Sequence, residues 1–221
     1  MSRSHILKLL AGFRRFHIKN FQGGETSLYS KLARGQGPKT LIIGCSDSRV
    51  DPALMTSSAP GEIFVVRNVA NMVPPFESAQ TGFHGVSAAI EFAVVNLKVE
   101  NVMVIGHRQC GGIAALMSSQ PTQEGFIRQW VSIAEDAKRR VLKNYPDADL
   151  DAQCRHCEKE AIVTSLKNLR SFPFVVEAEK ERQLLILGIY FDLEIGELLE
   201  YDEKVKDFVQ VSIAGVDWPR P

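Results

Sequence analysis

Three side chains in this sequence can do chemistry together: Cys45, His107 and Cys110. Cys45 follows the apolar run Leu41-Ile42-Ile43-Gly44 and opens Ser46-Asp47-Ser48-Arg49. A second run of the same build, Asn101-Val102-Met103-Val104-Ile105-Gly106, ends at His107-Arg108-Gln109-Cys110 and is followed by Gly111-Gly112. Two thiols and an imidazole can hold one Zn2+ per chain in a tetrahedral site whose fourth position stays open. An ion held that way lowers the pKa of a bound water to about 7 and supplies a hydroxide for addition to a small electrophile. Asp47 alternates with Cys45 and Arg49, so an extended run points all three the same way. Arg49 can grip the Asp47 carboxylate with paired hydrogen bonds and keep it ionised beside the metal. The same pair could also do no more than pin the loop. Taken singly, a cysteine is most often a small core hydrophobe and a loop histidine is most often solvated. The joint placement at the ends of two similar runs carries the metal reading.

The apolar runs read as buried parallel strands, because near-continuous branched side chains suit a strand covered on both faces. In an open α/β sheet the C-terminal ends of such strands share one side, where ligands collect. Residues 62–66 supply another strand, ending at Arg67-Asn68, and residues 184–190 a fourth. Helices are expected over 82–97, 113–117, 126–142 and 157–169 from apolar residues at helical spacing. Asp51-Pro52 reads as an N-cap and first turn. A final edge strand is expected at 197–201, with the tail beyond it unassigned. The expected fold class is α/β, a single domain with a mainly parallel central sheet flanked by helices and a C-terminal edge strand. Residues 1–34 form an N-terminal helical arm, marked by Ile6, Leu7, Leu9, Leu10, Phe13 and Phe16, and residues 35–221 the zinc-binding catalytic domain. An arm with so apolar a face needs a surface to hold it, either within the fold or on a second subunit.

Composition narrows the partners. Lys plus Arg equal Asp plus Glu at 26 each, leaving no net charge to draw the chain to nucleic acid or an anionic membrane. No apolar run reaches a membrane span, and the first ten residues lack the pattern of a secretory signal. Four cysteines suit reduced thiols in the cytoplasm better than a disulfide framework. Cys154-Arg155-His156-Cys157 reads as the start of a helix with Cys157 buried, in preference to a redox pair.

Cys45-Ser46-Asp47-Ser48-Arg49 with His107-x-x-Cys110 resembles the paired signature of the beta-class carbonic anhydrases. Pro60-Gly61-Glu62, residues 64–68, Ala70-Asn71, the helix around 85–93, Cys110-Gly111-Gly112 and residues 156–160 extend the likeness over about residues 30 to 201. The resemblance implies Cys45, His107 and Cys110 as zinc ligands, Asp47 as hydrogen-bond acceptor for the attacking hydroxide, and Arg49 as the group that orients it. It also implies a closed form in which Asp47 takes the fourth position on zinc. Gln36, Phe64, Val69, Phe92 and Gly111 would contact the substrate, with Gln36 reaching across a dimer interface. Where the plant-like pattern has tyrosine, this chain has Phe92. Ile42 stands where members with a bicarbonate-regulated pocket have tryptophan, which places the chain nearer the plant-like subclass.

The implied reaction is reversible hydration of carbon dioxide to bicarbonate, in a homodimer or larger even-numbered homo-oligomer. A related hydrolase for carbonyl sulfide or carbon disulfide would use the same centre, and a noncatalytic zinc-stabilised assembly module is the alternative from another class. Geometry adds to the dimer reading. Gln36 precedes the first strand and Cys45 ends it, so the extended chain sets them some 25 to 30 Å apart at ~3.3 Å per residue.

Overall fold

The computed structural model describes residues 3–22, 27–77, 82, 84–118 and 125–211. The chain divides into two compact units, Met1–Gly37 and Pro38–Pro221. In the first, α1 (Arg3–Phe21) and α2 (Leu28–Leu32) carry an aromatic cluster: Tyr29 lies 5.2 Å from Phe16 and 5.0 Å from Phe21 between ring centroids. Ser27 caps α2 by accepting from the Ser30 amide. Ile6, Leu7, Leu9, Leu10 and Phe13 are all exposed.

The second unit is an α/β domain. Its elements run β1 (Thr40–Cys45), α3 (Pro52–Thr56), β2 (Ile63–Asn68), α4 (Gly85–Glu91), β3 (Asn101–His107), α5 (Gly111–Met117), α6 (Phe126–Val131), α7 (Glu135–Asn144), α8 (Leu150–Leu169), α9 (Pro173–Arg182), β4 (Leu185–Asp192), β5 (Glu197–Asp202) and β6 (Asp207–Gln210). The sheet order is β2-β1-β3-β4-β5-β6. The first four strands are parallel, and β5 and β6 close the sheet antiparallel. The chain runs from β1 outward to β2 and then back across to β3, so the direction of winding reverses between β1 and β3. A crevice opens at the C-terminal ends of such a pair. Gly44 pairs with Ile105, which sets Cys45 level with the last residues of β3.

The strands were legible because burial on both faces demands branched apolar side chains. Leu41, Ile42, Ile43, Val102 and Val104 are all essentially inaccessible. Helix boundaries were less so. The helix expected from residue 82 begins at Gly85, because Gly82 has φ +119° and His84 lies outside helical angles; it continues past Glu91 as one wide turn, Phe92–Asn96. The helix expected over 126–142 is broken by a 3-10 turn, Ser132–Ala134, where the Ser132 hydroxyl donates to the Gln129 carbonyl and competes with the backbone. Helix α8 starts at Leu150, seven residues earlier than expected, capped by the Asp149 carboxylate on the Ala152 amide. Cys154 and Cys157 therefore sit inside a helix, and His156 stacks on Tyr145 at 3.7 Å. Residues 174–176 belong to α9, which opens on a proline at its first position. β5 is covered by β6, so the edge strand is the tail segment left unassigned from sequence.

Helix α8 lies close on the sheet because two strand positions lack a side chain. A Cβ on Gly188 would stand 2.9 Å from Ile162 Cγ2 and 2.9 Å from Leu166 Cδ1. Gly188→Ala is expected to cost about 1–3 kcal/mol by overpacking, and Gly188→Val more. Chemical unfolding measures this; an unchanged midpoint in both variants would mean that the helix does not press on the strand.

Candidate metal centre

Strand β1 delivers Cys45, strand β3 delivers His107, and Cys110 stands one residue ahead of α5. Their exposures are 5%, 1% and 2%. The two sulfurs are 4.0 Å apart, and all three possible ligand atoms lie within 4.8 Å of one another. Two Zn–S bonds of about 2.3 Å at a tetrahedral angle span about 3.8 Å, so the sulfur spacing fits zinc closely. The imidazole is oriented by its own loop: Nδ1 faces the Arg108 carbonyl at 2.9 Å, which assigns the proton there and leaves Nε2 as the free lone pair. Nε2 is buried and has no hydrogen-bond partner among the described residues. A buried imidazole lone pair close to two thiols is a donor set that suits a soft or borderline divalent cation.

Electrostatics agree. The Cys45 thiol is pulled down to about 4, chiefly because the Cys110 thiol can donate to its sulfur, with His107 and the Asp47 amide adding to the effect against the cost of burial. Cys110 is pushed up in turn because its thiol donates to the Cys45 sulfur, and further by burial and its neighbour's charge, while the Gly112 and Ile113 amides at the start of α5 favour its thiolate. A cation bound between the two sulfurs would favour the thiolate at both.

The loop after Cys45 is built around Arg49 and Arg67. Asp47 Oδ1 accepts from Arg49 Nε at 2.9 Å and from the Arg49 amide at 2.9 Å, and Oδ2 accepts from Nη2 at 2.7 Å. This grip by Arg49 holds the carboxyl well below the usual carboxylate range. From β2, Arg67 donates to the Cys45 carbonyl at 2.8 Å, the Asp47 carbonyl at 2.6 Å and the Asp51 carboxylate at 2.9 Å. Asp51 uses its other oxygen to cap α3. One guanidinium therefore ties both ends of the Ser46-to-Val50 turn to the sheet.

Of the residues expected in a substrate pocket, Gly111 follows Cys110 in the chain and Val69 follows Asn68, which pairs with Cys45. Val69 Cγ1 would be 2.7 Å from a Cβ on Gly112, so the absence of that side chain lets the 3-10 turn Val69–Asn71 meet the start of α5. Phe64 and Phe92 pack on one another at 5.8 Å, but Phe64 pairs with Leu41, four residues before Cys45. That is about 13 Å back along the strand direction. Gln36 belongs to the first unit.

Sequence reasoning missed Glu158 and Tyr190. Glu158 is 2% exposed, and its oxygens accept the Cys110 amide at 3.0 Å and the Tyr190 hydroxyl at 2.8 Å. Burial raises its pKa despite these two donors. The available signal was its place on the buried stripe of α8 with Cys154, Cys157, Ala161 and Ile162. Cys154 and Cys157 themselves are buried with thiols raised by burial, Cys157 to about 12, which makes them inert core residues. Glu158→Ala would leave the Cys110 amide and the Tyr190 hydroxyl without an acceptor. We expect a loss on the order of 2–4 kcal/mol and faster release of metal to a chelator, with Tyr190→Phe costing less. Unfolding curves and chelator kinetics that match the wild type would show that Glu158 does not hold the Cys110 loop.

The comparisons with known proteins follow the same residues. The carbonic anhydrase family profile matches residues 40–198, from the start of β1 into β5. A curated relative, Beta carbonic anhydrase 3 of Arabidopsis thaliana, is 42% identical over 89% of this chain and 78% of its own. The structure of the beta-carbonic anhydrase CcaA superposes with a TM-score of 0.85 at 35% identity, covering 94% of this chain and all of that one. One of two tetrameric beta-carbonic anhydrases from Sordaria macrospora gives 0.78 at 30% identity, covering 90% and 97%. Fold, strand-end ligands and sequence identity therefore converge, and the chain belongs to the beta-carbonic anhydrase family.

Proposed function

We propose that this protein catalyses the reversible hydration of carbon dioxide to bicarbonate and a proton, with one zinc ion held by Cys45, His107 and Cys110. The observation that carries the reading is the buried His107 Nε2, without a hydrogen-bond partner among the described residues, close to two sulfurs 4.0 Å apart in a loop whose carboxylate is already gripped by an arginine. Zinc bound there supplies hydroxide near neutral pH. Asp47, kept ionised by Arg49, accepts a hydrogen bond from the attacking oxygen and so aims its lone pair at the carbon. Because both carboxylate oxygens are engaged by Arg49, this carboxylate is held back from metal ligation, which supports an open fourth position. Apolar walls suit a substrate without a net dipole. Val69 supplies one from the same chain.

The assembly we propose is at least a dimer, of the plant-like subclass suggested by Ile42 and by the plant relative. Its support is that Phe64 lies four strand positions back from Cys45 in its own chain and that α1 carries an apolar face which its own unit does not cover. A partner would bring the Phe64 and Phe92 rings and the Gln36 amide to the pocket, where the amide donates to bicarbonate oxygen as charge develops. The related Sordaria macrospora enzymes are tetrameric. A reducing compartment such as the cytoplasm would keep Cys45 and Cys110 available for metal.

Two outcomes test this. Cys110→Ser should lose zinc and at least about 10³-fold in hydration rate, because only two strong protein ligands remain; full zinc content with unchanged activity would refute it. Mixing inactive Cys45→Ser subunits with Gln36→Ala subunits should restore activity once they exchange, since each heterodimer rebuilds one complete site. No recovery in confirmed heterodimers would place Gln36 in its own chain's pocket.

A further inference from the structure

Gln109 stands between two metal-ligand positions in a left-handed conformation, with φ 59°. That conformation turns its carbonyl oxygen toward Arg49, which donates to it from Nη2 at 3.0 Å. The side-chain Oε1 accepts from Arg49 Nη1 over a longer 3.4 Å, and Nε2 donates to Glu194 Oε1 at 2.6 Å. Glu194 lies in the turn between β4 and β5, where its other oxygen is 3.6 Å from the buried Arg108 Nε and 3.6 Å from Arg155. Arg49 thus has two occupied edges, one on Asp47 and one on Gln109. Its side chain is 47% exposed, so hydrogen bonds rather than packing fix its plane. A guanidinium is rigid and planar, so holding its far edge fixes the near one.

We propose that Gln109 is a positioning residue for the reaction. It locks the Arg49 plane and, through it, the Asp47 carboxylate, while Glu194 carries that restraint in from the β4–β5 turn. The proposal rests on the reading of Asp47 as the acceptor in carbon dioxide hydration. Exposed ionic contacts contribute little to stability, so the effect of this chain of contacts lies in geometry and rate.

The experiment reads solvent exchange of the Arg49 Nε–H by nitrogen-15 NMR, and kcat and KM across pH, in the zinc-loaded protein. In Gln109→Ala, exchange should accelerate about ten-fold and kcat fall about three- to ten-fold, with zinc content and thermal midpoint kept. Gln109→Glu sets a carboxylate against Glu194 and should lose as much. Adding Glu194→Gln swaps amide and acid across the contact and should restore both readouts. Should Gln109→Ala shed zinc, Glu194→Ala lies outside the metal loop and must show the same faster exchange. Unchanged exchange in an active enzyme, or a swapped pair no better than Gln109→Glu, overturns the proposal. Faster exchange in a protein whose wild type does not hydrate carbon dioxide overturns it through the function it rests on.

Discussion

Everything at this site depends on burying three ligand atoms at the mouth of a parallel sheet. Two thiols and an imidazole nitrogen, in residues with 5% exposure or less, are shielded from solvent, and the imidazole nitrogen has no hydrogen-bond partner among the described residues. Such an arrangement is costly unless a cation fills it. The sheet makes it possible. Parallel strands covered on both faces end together, and the reversal of winding between β1 and β3 leaves their ends uncovered by a crossover. Cys45 and His107 need only be the last residues of those two strands, and Cys110 the residue that opens the next helix, for the three to converge.

Holding them requires polar groups whose own needs are met elsewhere. Arg67 satisfies two carbonyls of the Cys45 loop and pairs with the cap of α3; Glu158 receives the Cys110 amide and is itself steadied by Tyr190. Asn68 closes the Val69–Asn71 turn by exchanging two hydrogen bonds with Met72, which keeps Ala70 and Asn71 in left-handed conformations near α5. These contacts sit behind the ligands rather than among them. They fix loop geometry, so the ligand atoms stay spaced for a metal even in the chain alone.

The sequence made the ligand set and the sheet legible because both follow from strong local signals: apolar runs of strand length, and thiol, imidazole and carboxylate placed just beyond them. The Asp47 grip by Arg49 was legible for the same reason, since alternation in an extended segment puts them on one side. Glu158 was not, because a carboxylate on a buried helical stripe gains meaning only when α8 is laid against β3 and β4. Gln109 was not, because its role depends on a left-handed backbone that no residue type announces. The helix ends failed where a single side chain decided them, as Asp149 did for α8 and Ser132 for the break before α7. Phe64 and Phe92 were read as pocket residues from resemblance, and the register of β2 on β1 sets Phe64 level with Leu41, four residues before Cys45.

The most direct measurement is zinc-edge X-ray absorption on the purified protein. The account predicts a first shell of two sulfurs at about 2.3 Å and two light atoms at about 2.0–2.1 Å, one of them with the outer-shell scattering of an imidazole. A shell without sulfur, or with any number of sulfurs other than two, would contradict it.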